Sequence, residues 1–284
     1  MVTKKSIESE IESLTNMKGI AESFEEIAAL RIRRNRDQVL KNRQFTTEVN
    51  EIFQQVKIAS VNIIDPKQKS FLKKNGRTLF VYLSANTGLY GDIVRRTFNL
   101  FAKYVGQWAD NVLIIGKVGL KLASERKIIK PVAYFDLPDD TIDTQSIKKI
   151  SSYLLDFERV IVFYAKFEGI LHQEETMIDL SGNPSLPSFT PPQASQFKIK
   201  YFFEPEVTKI LAFFETEIFE SLLEQTVREF QLAKLSSRVV GLNSAIDHIE
   251  NELKKTTSKR NEFLHQESNR KQLQTFSSMS LWDI

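Results

Sequence analysis

Four places in this chain of 284 residues carry side chains that could do chemistry. Gly88-Leu89-Tyr90-Gly91 lies between an apolar run and a helical stretch, the setting in which a glycine-rich turn can cradle a phosphate. Asp139-Asp140 with Asp143, and Glu174-Glu175, are carboxylates close enough in sequence to share acid–base work if burial splits their pKa values. His172, His248 and His265 are the three imidazoles. Arg31, Arg33, Arg34, Arg36, Lys41 and Arg43 concentrate positive charge within three to four helical turns.

Each is weighed against its neighbours. The Gly-Leu-Tyr-Gly segment lacks the third glycine of a dinucleotide fingerprint and the Gly-Lys-Ser/Thr of a P-loop, so Gly88, Leu89 and Gly91 are read as a tight turn. The carboxylates sit beside Pro138 or in a polar segment, where a solvated loop or a helix N-terminus suits them. No two histidines share a ligand spacing, and the chain has no cysteine, which removes thiolate nucleophiles, disulfides and cysteine metal sites. No serine has a nucleophile-elbow context. No catalytic constellation, cofactor site or metal site is therefore expected. The basic run has three readings: a solvated helix face, a collar meeting acidic protein surfaces, or a contact with nucleic acid. No aromatic interleaving or binding motif accompanies it and the net charge is only +3, which weighs against nucleic acid.

The elements that carry these residues fall into three parts. From Thr3 to about Ile58 there is no proline and one glycine, Gly19. Ile7, Ile11, Leu14, Met17, Ile20, Phe24 and Ile27 recur at helical spacing and predict its packed face, extended by Val49, Ile52, Phe53 and Val56. From Glu206 to about Phe276 there is again no proline and one glycine, Gly241. Leu235, Val239, Leu242, Ile246, Ile249 and Leu253 step four and three there, the spacing of a coiled-coil seam, with Ile210, Phe214, Ile218, Leu222, Thr226 and Phe230 upstream. Such a helix would be roughly 100 Å long and needs a long partner, which only the N-terminal stretch supplies.

Between them the period changes. Strands are predicted at Thr78–Ser84, Asn111–Ile115, Pro131–Phe135, Arg159–Ala165, His172–Leu180 and Lys198–Phe203. Helices are predicted around Ile93–Val105, Leu120–Arg126 and Asp143–Leu155. Asp65-Pro66 breaks the first helix, Lys67–Arg77 is a polar linker, and Ser181–Ala194, with four prolines, is a loop. The fold class is α/β: a long antiparallel two-helix coiled coil from both termini plus a Rossmann-like α/β globular domain. The expected division is 1–64, 65–204 and 205–284. The N-terminus lacks the apolar core of a signal peptide, and no window reaches the apolar length of a membrane span, so membrane association is expected only through a partner.

Residues Ile7 to Arg34 closely resemble the opening of the gamma subunit of F-type ATP synthases, matching its Ile, Ile, Ser, Asn, Ile, Ala-Ala and basic positions at Ile7, Ile11, Ser13, Asn16, Ile20, Ala28-Ala29 and Arg33-Arg34. Gly88-Leu89-Tyr90-Gly91 is similar to that family's Gly-Leu-x-Gly turn, and Tyr201-Phe202-Phe203-Glu204-Pro205 to its Phe-Glu-Pro lead into the last helix. Asn243, Arg260, Gln266 and Glu267 fall on recurrent polar positions of that helix. The chain departs from the pattern at Asn86-Thr87, where the family has Asp-Arg, at Asp92-Ile93-Val94, and at a C-terminus ending Met279-Ser280-Leu281-Trp282-Asp283-Ile284 without Gly-Ala. These departures suggest a divergent bacterial member.

The resemblance implies a non-catalytic central-stalk rotor. It would turn inside a ring of alpha and beta subunits, with its foot on the epsilon subunit and the membrane ring of c subunits, at the cytoplasmic face of the plasma membrane and without inserting into it. It implies rotor–stator contacts at Ile20, Phe24, Ile27, Arg31, Arg33, Arg34, Asn243, Arg260, Gln266 and Glu267. The rival readings are a coiled-coil scaffold or tether and, third, a nucleic-acid-binding protein.

Overall fold

Thr3 starts the first helix. In the computed structural model, which describes residues 3–59, 75–108, 111–127, 132–139, 142–181 and 204–279, the Ser6 amide donates to Thr3 Oγ1 (3.3 Å) and the Thr3 amide to Ser6 Oγ (3.1 Å). This reciprocal cap satisfies amides that the first turn leaves over, and opens α1, Lys4–Ala59. At the other end α5 spans Val207–Met279. Between them lie β1 (Thr78–Leu83), α2 (Ile93–Trp108), β2 (Asn111–Ile115), α3 (Lys117–Glu125), β3 (Val132–Phe135), α4 (Thr144–Leu155), β4 (Arg159–Phe167) and β5 (Gln173–Asp179). The predicted strand at Lys198–Phe203, the break at Asp65-Pro66, the linker over 67–74 and the loop over 182–194 lie outside the described residues.

The chain divides into two compact units, Met1–Leu30 with Arg238–Ile284, and Arg31–Ser237. In the first unit the least exposed positions of α1 include Ile7, Ile11, Leu14, Lys18, Ala21, Glu25 and Ala28, stepping four and three. On α5 they include Val239, Leu242, Ile246, Ile249, Leu253, Thr256, Arg260, Phe263 and Glu267, at the same spacing. Ala21 packs with Leu242 and Ile246, and Lys18 Nζ bonds Glu250 Oε1 at 2.7 Å, so the segments run in opposite directions. This corrects the predicted packed face. Met17, Ile20, Phe24 and Ile27 point outward, and the inward ladder runs instead through Lys18, Ala21, Glu25 and Ala28. Ala21 on α1 leaves room for the bulk of Leu242 and Ile246, and the stems of Lys18 and Glu25 can lie along the seam with their charges at its rim.

In the second unit a five-stranded sheet has the order β3-β2-β1-β4-β5. β3, β2, β1 and β4 are parallel, and β5 pairs antiparallel with β4. Right-handed crossovers in this order put α2 and α3 on one face and α4 on the other. Alternate residues of β1 then meet different partners. Phe80 and Tyr82 join Phe98, Phe101 and Phe163 beneath α2, where the Tyr82 and Phe101 rings stack at 5.2 Å. Leu79, Val81 and Leu83 face Ile147, Ile150 and Leu154 of α4 and Leu223, Val227 and Phe230 of α5. The Tyr82 hydroxyl donates to the Val94 carbonyl at 2.7 Å, and burial pushes its phenol pKa well up. In this unit too α1 and α5 touch: Phe53 lies against Phe214 at 6.3 Å, and Gln38 Oε1 accepts from Arg228 at 2.6 Å.

Two helix starts follow from side chains near them. Asp143 caps α4, accepting from the amides of Gln145 and Ser146. α3 begins three residues before the predicted Leu120, because Asn86 Oδ1 accepts the Lys117 amide at 2.9 Å and holds the first turn.

Candidate functional site

An uncovered helical face is the first candidate. On α1 within the first unit, Met17, Ile20, Phe24, Ile27 and Leu30 follow one another at three- and four-residue steps, and all five are large apolar side chains left in water. Ile20 is 58 % exposed and Phe24 40 %, whereas Ala28, one residue from Ile27, is fully buried. The helix thus has two apolar ladders, one inward and one outward. A contiguous exposed apolar face of this kind marks an association surface. It holds no acid, base or nucleophile, so what it can do is bind.

In sequence the basic run follows Leu30. In the second unit Arg31 is half-buried, and Arg33, Arg34, Arg36 and Lys41 are exposed. Among the described residues Arg33, Arg34 and Arg36 have no acidic partner, and the Arg43 side chain is outside them. On α5 in the first unit, Asn243 and Gln266 are exposed. Glu267 accepts from Lys271 at 3.0 Å, and that bond and the lysine's charge hold its carboxyl below the usual range. Gln266 and Glu267 line a groove of about 400 Å³ with Lys4, Phe263 and Arg270. Arg260 lies at the seam and donates to Asn261 Oδ1 at 3.4 Å. The sequence reasoning missed Leu30, and treated Met17 as packing. The signal lay in the helix itself, where two apolar ladders compete for one inward face.

The second candidate is the turn after β1. Gly91 has φ +59°, and a Cβ there would lie 2.6 Å from Ser237 Oγ and 3.3 Å from the Ser237 carbonyl oxygen. Leu89 is also left-handed, at φ 65°, with its side chain exposed. The glycine is therefore explained by the approach of α5, whose Ser237 hydroxyl donates to the Tyr90 carbonyl at 2.8 Å. In open α/β sheets, ligands bind at the carboxyl edge where the strand order reverses, which here falls between β1 and β4. The loops of that edge after β1 and β3 are held by the chain's own helix.

Asp139 joins these loops to α5, which corrects its expected place in a solvated loop. Its Oδ2 accepts the amides of Asn86 and Thr87, both at 2.9 Å, and the Thr87 hydroxyl at 3.0 Å. Its Oδ1 accepts from Lys234 Nζ at 2.5 Å, with side-chain exposures of 4 % for the lysine and 6 % for the aspartate. The ammonium also lies over the rings of Phe230 (4.8 Å) and Tyr90 (5.2 Å). Burial opposes ionisation of Asp139, but the Lys234 charge and hydrogen bond and the Thr87 donors outweigh it and hold the carboxyl below its ordinary value. A signal existed in sequence: Lys234 is the one charge in Gln231-Leu232-Ala233-Lys234-Leu235, a place for a long cation only if it is paired. Of the other carboxylates, Glu175 pairs with Arg96 of α2, Glu174 is exposed, and Asp140 lies outside the described residues.

A family model described as ATP synthase matches residues 3–266. The ATP synthase gamma chain of Geotalea daltonii is 23 % identical over 261 residues, covering 86 % of this chain and 86 % of that one. The ATP synthase gamma chain of Nitrosomonas eutropha is 24 % identical over 273 residues, covering 88 % and 90 %. Among solved structures, a chain of the central stalk and c-ring of the Tetrahymena thermophila mitochondrial ATP synthase superposes with a TM-score of 0.57. It is 14 % identical, and the match covers 80 % of this chain and 99 % of that one. A chain of the Euglena gracilis mitochondrial ATP synthase gives 0.51 at 14 % identity, covering 88 % and 93 %. At that identity the two structures speak for the fold.

Proposed function

This chain belongs to the ATP synthase gamma family, and from that premise we propose that it is the rotating central stalk of an F-type ATP synthase. The observation that carries the reading is the extent of the family match, which takes in α1, the whole sheet body and most of α5 in one order. In this role the chain holds no active site. It couples ion flow through a membrane ring to ATP synthesis or hydrolysis on beta subunits, as a peripheral part of the complex at the cytoplasmic face of a bacterial membrane. No described helix is long and apolar enough to cross a membrane, which fits attachment through a ring of c subunits and an epsilon subunit.

In this role α1 and α5 act as an antiparallel coiled coil, and the working parts of the chain are 1–64, 65–204 and 205–284. A rotor of two unlike helices presents a different face to each catalytic subunit at each angle. Each face stabilises one conformation of that subunit over another, which is all that a bound partner can do to an equilibrium. The coupling is reciprocal, so the same shaft serves both directions of the reaction. The face of Ile20, Phe24 and Ile27 and the collar of Arg31, Arg33 and Arg34 meet the alpha and beta subunits, as do Asn243, Arg260, Gln266 and Glu267 on α5. Contacts that slide are served by exposed, screened charges rather than by deep locking.

Copurification tests the reading. A tagged copy of this chain expressed in its own host should bring alpha, beta and epsilon subunits; capture of none of them removes it. R33E/R34E should still assemble but lose coupled turnover, and normal ATP-driven pumping by that variant would remove the collar's role.

A further inference from the structure

One face of α5 reads the carboxyl edge of the sheet with three residues spaced by three. Gln231 Nε2 donates to the Asp139 carbonyl (3.4 Å), Lys234 Nζ to the Asp139 carboxylate (2.5 Å), and Ser237 Oγ to the Tyr90 carbonyl (2.8 Å). Asp139 in turn gathers the two amides and the hydroxyl at Asn86 and Thr87. Asn86 is itself tied down, its Nδ2 donating to Asp136 Oδ1 (2.6 Å) and to the Leu137 carbonyl (2.9 Å). The loop after β1, the loop after β3 and the helix thus meet at a single carboxylate.

The rest of the contact is of another kind. Leu223, Val227 and Phe230 lie on the sheet core, and apolar burial is non-directional, so it resists separation far more than it resists sliding. Hydrogen bonds and a dry ion pair are directional and steep in distance and angle. They also cost stability to assemble, because two charges must leave water, and a hydrophobic pair of equal volume would hold the helix at least as firmly against unfolding. A requirement for angular fixity accounts for their presence where a requirement for stability does not.

We infer that the Asp139–Lys234 pair, with Ser237 closing on Tyr90 beside Gly91, is a torsional clasp that fixes the rotational setting of α5 on the sheet body. The inference rests on the rotor reading. Asp139, Lys234 and Ser237 are positioning residues: they set the angle at which the body follows the helix.

The test uses the assembled complex. Because the chain has no cysteine, a single Leu171→Cys in the turn between β4 and β5, where Leu171 is 86 % exposed, labels the body with a bead. With the ring immobilised and the rotor paused, the variance of the bead's angle measures the torsional stiffness between them. In D139N/K234M, which removes both charges and leaves no buried ion unpaired, the variance should rise at least about twofold while ATP hydrolysis and the melting temperature stay near the parent's. Ser237→Ala, a smaller change that leaves the ion pair alone, should raise it measurably and serves where the double variant does not assemble. Unchanged variance in either assembled variant overturns the clasp. Failure of the parent chain to assemble with alpha and beta subunits overturns the rotor reading instead, so the two failures are told apart.

Discussion

Replacing Gly91 by alanine probes the contact between the turn after β1 and α5 most directly. Two costs arise from the geometry. The residue sits at φ +59°, which costs an L-residue roughly 1–2 kcal/mol over glycine. The new methyl would also fall 2.6 Å from Ser237 Oγ, so the hydroxyl must turn away and give up its hydrogen bond to the Tyr90 carbonyl, about 1 kcal/mol more. The sum is about 2–3 kcal/mol, or roughly 4–12 °C in melting temperature for a body of this size. The assay is thermal unfolding of the purified chain, followed for G91A, S237A and G91A/S237A. Ser237→Ala alone should cost about 1 kcal/mol through the same lost bond. In the double variant that loss is counted once and the clash is gone, so the two changes should fall short of additivity by about 1 kcal/mol. A G91A protein that melts within about 1 °C of the parent, or strict additivity in the cycle, would refute the close approach of helix to turn.

The remaining predictions concern the buried pair and the uncovered face. Lys234→Met should destabilise the chain by about 3–5 kcal/mol, and adding Asp139→Asn should recover most of the loss, because the first change alone strands a buried carboxylate; denaturant titration checks both. Asp139 has a folded pKa below its ordinary carboxylate value, so its contribution is present above about pH 4 and is lost as pH falls through the folded value. The parent's melting temperature should therefore drop on acidification in that window, and that drop should be smaller in D139N/K234M. Ile20→Glu and Phe24→Glu lie on exposed positions and should alter folding by no more than about 0.5 kcal/mol. In the proposed role each should weaken capture of ring subunits by about tenfold or more, the worth of one covered apolar side chain, read by quantitative copurification.

Both long helices and the parallel sheet could be read from periodicity and from runs such as Leu79 to Leu83, because burial on both faces forces continuous apolar sequence. What periodicity could not decide is which of two ladders on α1 faces inward. Ile20, Phe24 and Ile27 satisfy the rule for a packed face as well as Ala21, Ala28 and Ile7 do. Hydrophobicity favours the first set, and the second prevails because alanine admits the neighbouring helix where larger residues would hold it off. The capping of α4 by Asp143 was visible as a local pattern, one aspartate ahead of an apolar period. Asp139, four residues earlier, carried the same local signature, and its true partner is Lys234, 95 residues away along the chain. No window of neighbouring residues contains that information.

The bonding of α5 to the loops after β1 and β3 has a consequence for how load passes through this molecule. Loops that in other open sheets hold a ligand are used here, after β1 and β3, to grip the chain's own helix. A twist applied to that stretch of helix therefore reaches two strands of the sheet through directional bonds.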